Sequence, residues 1–130
     1  MIVVSRHIDP MLKRRYLRGK CFALAKVMAK ASGLPVWGGF DDRGDPHHAF
    51  VYDARTGLGY DIRGGLPLDE IMRGSAAEGG TTGPLSEGLI LQHIGSHDPA
   101  DLREARQVVA RVMTITKTPP PPRLDETPSL

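Results

Sequence analysis

The part of this sequence that most restricts its fold is a paired run, residues 47–53 (HHAFVYD) and 58–63 (LGYDIR), split by residues 54–57 (ARTG). Two β-favouring segments around a four-residue break that ends in glycine form the pattern of a hairpin, with Gly57 supplying the left-handed position such loops need. With that loop, Asp53 pairs with Leu58, His48 opposes Arg63 and Phe50 opposes Asp61. Side chains alternate with period two, so His48, Phe50, Asp61 and Arg63 share one face, while His47, Ala49, Val51, Tyr60 and Ile62 share the other. His48 and Asp61 then stand on a diagonal at about 7–8 Å between backbones, a gap that two side chains can close. A carboxylate placed there fixes an imidazole's tautomer and orientation and stabilises its charged form.

The segments around the hairpin alternate between helical and extended patterns. Asp9-Pro10 opens a short helix over residues 11–17, with Asp as cap and Pro at the first helical position, and Gly19 breaks it. Leu24, Val27, Met28 and Ala31 form the inward stripe of a second helix, stopped by Gly33 and Pro35. Counting back one turn from Leu24 places Cys21 on the same stripe, in the first turn. Residues 36–46 begin as a strand and become a polar loop. Residues 66–73 suggest a short helix, 74–83 a flexible loop without the Gly-Lys-Ser/Thr ending of a phosphate cradle, and 89–94 a further strand. Asp98-Pro99 starts a helix whose Leu102, Ala105, Val108, Val109 and Val112 face inward. Residues 116–130 contain four consecutive prolines and few apolar side chains, so they are expected to form an extended or disordered tail. The expectation is one α+β domain over residues 1–115, with a cysteine-bearing helix packed on a small antiparallel sheet and a second helix nearby.

Charge and composition narrow the classes of function. Seventeen basic against fifteen acidic residues, a formal charge of +2, is too balanced for the footprint of a nucleic-acid binder. The basic run Lys13, Arg14, Arg15, Arg18 and Lys20 reads as the solvated face of a helix. The first four residues are too short for a signal-peptide apolar region, and no stretch approaches the roughly 18 apolar residues of a membrane span, so a soluble cytoplasmic chain is expected, or one exported by a signal-independent route. Asp41, Asp42, Asp45, His47 and His48 offer oxygen and imidazole ligands, but their spacing matches no metal cage, and no metal or cofactor is expected. One cysteine excludes an internal disulfide, so Cys21 is either core packing or a reactive thiol.

A thiol attacks acyl carbon as its thiolate, which a helix N-terminus and a neighbouring imidazole both favour. Cys21 meets the first condition and the hairpin offers the second. In order along the chain, Gly19-Lys20-Cys21-Phe22-Ala23, His48-Ala49-Phe50-Val51 and Tyr60-Asp61-Ile62-Arg63-Gly64 resemble the three core motifs of the papain-like superfamily, in particular its transglutaminase-type branch and small bacterial or phage toxin and deamidase domains. The likeness covers roughly residues 16–65. It implies a papain-like fold in which Cys21 is the nucleophile, His48 the general base and Asp61 the orienting acid, with the Cys21 backbone N–H helping to form an oxyanion hole. The implied activity is thiol-dependent acyl transfer on a protein or peptide substrate, as an amide hydrolase, protease or glutamine deamidase. Enzymes of this type often place a Gln upstream of the cysteine; no Gln or Asn precedes Cys21, which leaves Tyr16 and His7 as candidate donors. The alternative is a catalytically inactive papain-like domain that binds a protein partner or serves as a phage structural module, with the Pro-rich tail presented as a preformed ligand. On this basis Asp61→Asn is expected to lower activity and leave the fold intact.

Overall fold

The computed structural model describes residues 2–75, 77–93 and 99–117. Its centre is an antiparallel sheet of five strands: β2 (Val36–Phe40), β3 (Pro46–Asp53), β4 (Leu58–Asp61), β5 (Gly64–Pro67) and β6 (Thr81–Pro84), in the order β5-β4-β3-β2-β6. A separate two-stranded ladder joins β1 (Ile2–Val4) to β7 (Met113–Ile115). Five helices complete the chain: α1 (Pro10–Arg18), α2 (Cys21–Ser32), α3 (Leu68–Ile71), α4 (Glu87–His93) and α5 (Pro99–Val112). The architecture is α+β, with no helix among the described residues long and apolar enough to cross a membrane.

The hairpin takes the register its sequence implies. Asp53 pairs with Leu58 and Val51 with Tyr60, and Gly57 turns the loop at φ +74°. The β2–β3 turn is closed by Asp41, whose Oδ1 accepts from the Arg43 and Asp45 backbone N–H groups at 2.9 Å each. At the end of β3 where this turn joins it, the pairing with β2 shifts register between Gly39 and Phe40.

The two faces of the sheet are covered differently. Val51, Tyr60 and Ile62 pack with Leu24 and Met28 of α2, Tyr16 of α1, and Ala105 and Val108 of α5. On the opposite face Phe50 packs with Ile71 of α3 and with Met72 and Ala77. α5 buries the stripe its apolar spacing indicates; α2 buries Cys21, Leu24 and Met28 of its expected stripe with Val27 half-buried, but leaves Ala31 exposed and also buries Phe22, Ala23, Ala25 and Ser32, because its start is packed on more than one side.

Several elements depart from the sequence pattern. Residues 66–73 form a helix only from Leu68; the preceding four residues extend the sheet, since Asp61 opposite Gly64 starts a tight return onto the open edge of β4. Thr81–Pro84, within and just beyond the expected loop, pairs with the other open edge, that of β2. Residues 87–93 are helical instead of extended. Ser86 decides this: its Oγ accepts from the Leu89 N–H at 3.3 Å and its carbonyl accepts from the Ile90 N–H at 3.0 Å, so the chain enters a capped turn. The outer strands β5 (GGLP) and β6 (TTGP) are four residues long, and each ends on a proline. Most of the expected Pro-rich tail, residues 118–130, lies outside the described residues.

Candidate active site

The three residues singled out in the sequence are all buried, His48 at 0%, Cys21 at 1% and Asp61 at 2% exposure. The hairpin brings two of them into direct contact. His48 Nε2 and Asp61 Oδ2 lie 3.0 Å apart, and the His48 ring also stands 5.9 Å from the Phe50 ring on the same face. His47 turns away to the turn, where its Nε2 meets Asp41 Oδ2 at 2.7 Å. The two adjacent histidines therefore serve different carboxylates, and among the described residues no three His, Cys, Asp or Glu side chains converge as a metal site.

Asp61 is held by more than the imidazole. Its Oδ1 accepts from the Arg63 backbone N–H at 2.8 Å and from Arg63 Nε at 3.1 Å, and its Oδ2 accepts from Arg63 Nη2 at 2.6 Å. Burial by itself pushes the carboxyl pKa up, but the hydrogen bonds and positive charge of His48 and Arg63 outweigh it and hold Asp61 below the usual carboxylate value. An ionised carboxylate can only accept, so the proton between the pair belongs to His48 Nε2. In the neutral ring that leaves Nδ1 with a bare lone pair, and Nδ1 is buried without a hydrogen-bond partner among the described residues. Arg63 is the residue that sequence reasoning left without a role. The hairpin pattern predicts Arg63 on the strand face shared by His48 and Asp61, opposite His48; in the structure β4 ends at Asp61 and Arg63 lies in the turn before β5, from which it reaches back to the carboxylate.

Cys21 meets the sheet at Ala49, next to His48 on β3. The Lys20 side chain makes no capping hydrogen bond at the start of α2. The backbone of Ala49, of Cys21 itself and of Phe22 favours the thiol's ionised form. The thiol is enclosed by Phe22, Ala25, Ala49, Leu85 and Ile90. Burial is the dominant effect on its ionisation and the nearby Asp61 charge adds to it; against the backbone donors, these push the thiol up to about 11. At neutral pH the resting thiol is protonated.

The thiol and the ring are linked through β3 and Asp61: Cys21 packs against Ala49, the residue after His48, and is close enough to Asp61 to feel its charge. No hydrogen bond joins thiol and ring among the described residues. The site thus consists of an assembled imidazole–carboxylate pair and a protonated thiol. Of the candidate oxyanion donors, Tyr16 is engaged elsewhere, its hydroxyl donating to Glu104 Oε1 at 3.2 Å, and His7 is exposed and donates its backbone N–H to Ser5 Oγ. No protein-family model, curated protein or solved structure matches this chain.

Proposed function

We propose that this chain is a thiol-dependent acyl-transfer enzyme on a papain-like architecture, with Cys21 as nucleophile, His48 as general base and Asp61 as the acid that orients the ring. The observation that carries this is the unpartnered Nδ1 of a wholly buried His48 whose Nε2 is fixed to a carboxylate. A buried polar atom left open is costly, and at a site with a neighbouring thiol its use is to receive that thiol's proton. Support also comes from the order of elements: the cysteine opens a helix, the histidine stands near the start of a strand and the aspartate closes the next one.

In the reaction, Cys21 gives its proton to His48 Nδ1 and attacks the carbonyl carbon of a carboxamide or peptide. The tetrahedral oxyanion is met by backbone N–H groups at the start of α2. His48 returns the proton to the leaving nitrogen, and water or an amine resolves the acyl-enzyme. Hydrolysis, glutamine deamidation and transglutamination share this first half. The substrate is proposed to be a protein or peptide.

A second reading has its own support. A thiol 1% exposed with its pKa pushed up to about 11 is what a catalytically silent domain, serving as a protein-binding or structural module, would carry. The rate of Cys21 alkylation by a small electrophile against pH, in the wild type and in His48→Ala, separates the two. Reaction near neutral pH that His48→Ala abolishes supports the enzyme. A rate that in both proteins rises only toward pH 11 sinks it and leaves the binding module.

A further inference from the structure

We propose that Arg63 is a positioning residue for this site: its guanidinium keeps the Asp61 carboxylate turned toward His48, so that the imidazole is locked as the Nε2–H tautomer with Nδ1 open. The role deepens the acyl-transfer reading and rests on it only for the use made of Nδ1.

The geometry is that of a fork with a fixed handle. On one side Arg63 Nε and Nη2 take both oxygens of Asp61, and the Arg63 backbone N–H takes Oδ1 a second time. On the other, Nη2 donates to the carbonyl of Ile71, the last residue of α3, and Nη1 to the carbonyl of Arg73. Those carbonyls lie at the helix's C-terminal end, where the helical ladder leaves acceptors free and the dipole favours a cation. Arg63 thereby ties the carboxylate to α3 and not only to the hairpin that carries both residues.

Five donor contacts to two oxygens leave Asp61 one way to face His48. The oxygen that meets Nε2 is also the one held by Nη2, so the carboxylate cannot rotate away without breaking a charged pair at 2.6 Å. The charged and titratable groups around Asp61 are His48 from β3, Arg63 from the turn after β4, and Cys21 from α2; α3 contributes only backbone acceptors. Arg63 is therefore the one permanent positive charge in contact with the pair among the described residues. A lysine keeps the charge but lacks the planar fork, and a glutamine keeps a donor without the charge.

The test uses the full chain as wild type, Arg63→Lys and Arg63→Gln, with the backbone amide spectrum to confirm folding. Two readouts follow: the ring nitrogen shifts of His48, which report its tautomer, and the side-chain carboxyl shift of Asp61 against pH. The expected result is a pure Nε2–H tautomer in the wild type and a mixture with Nδ1–H in both variants. The Asp61 midpoint should move upward by about one pH unit in Arg63→Gln, and by less in Arg63→Lys. A folded variant that keeps the wild-type tautomer and carboxyl midpoint overturns the proposal. So does a wild type that shows no Nε2–H preference, an outcome open even if Arg63→Gln does not fold. Neither readout needs a reactive thiol, so failure of the acyl-transfer reading in the alkylation experiment leaves the role of Arg63 separately decided.

Discussion

Asp61 has two jobs in one side chain, orienting an imidazole and neutralising a partly buried guanidinium. The sequence suggested only the first, and hence that Asp61→Asn would spare the fold. The Arg63 clamp changes the expectation: the substitution leaves a charge in a largely dry site without its partner, and should cost about 3 kcal/mol at neutral pH by denaturant unfolding. The carboxyl is depressed in the folded state, so its contribution is present above the ordinary value of about 4 and is lost as pH falls through the lower folded value. Wild type and variant should therefore converge in stability in strong acid, and a gap that persists there contradicts the assignment. The His48–Asp61 contact was legible because loop length fixes register and period two fixes the face. The clamp was not, because a long flexible side chain such as Arg63 finds its partners only once α3 has been placed. The depth of Cys21 was hidden for a related reason, since an apolar stripe says which way a helix faces and not how tightly its first turn will be roofed by Leu85 and Ile90.

Among elements, the clearest readings were α1, α2, α5 and the central hairpin, each with a cap, a stripe or a turn residue in its own sequence. β5, β6 and β7 were missed because their extended form comes from a partner: short segments with little pattern of their own complete an open edge or pair with β1. β6 depends on one close approach. A Cβ at Gly80 would lie 1.9 Å from the Phe40 carbonyl oxygen, whereas one at Gly83 would meet nothing nearer than 3.9 Å. Gly80→Ala must therefore push the segment before β6 off β2 and should cost about 2–3 kcal/mol, while Gly83→Ala should lie within about 1 kcal/mol of wild type. Equal unfolding midpoints for the two variants would show that β6 is not held by this approach.

For the whole molecule, the first and last helices are joined across the core. Tyr16, wholly buried, donates its hydroxyl to Glu104 of α5, and Arg15 reaches the same carboxylate at 2.9 Å. Burial and the facing Glu104 carboxylate raise the phenol above its ordinary value, so it remains a donor well into the alkaline range. Tyr16→Phe keeps the ring and loses the hydrogen bond; a loss of about 1 kcal/mol is expected in thermal or denaturant unfolding, and no loss would mean that Arg15 alone holds Glu104. The outer strands of the sheet have a different consequence. Each is four residues long and ends on a residue with no backbone N–H to offer a newcomer, so neither rim makes a good template for a further chain. The five-stranded sheet is thereby guarded at both rims against extension by strand addition.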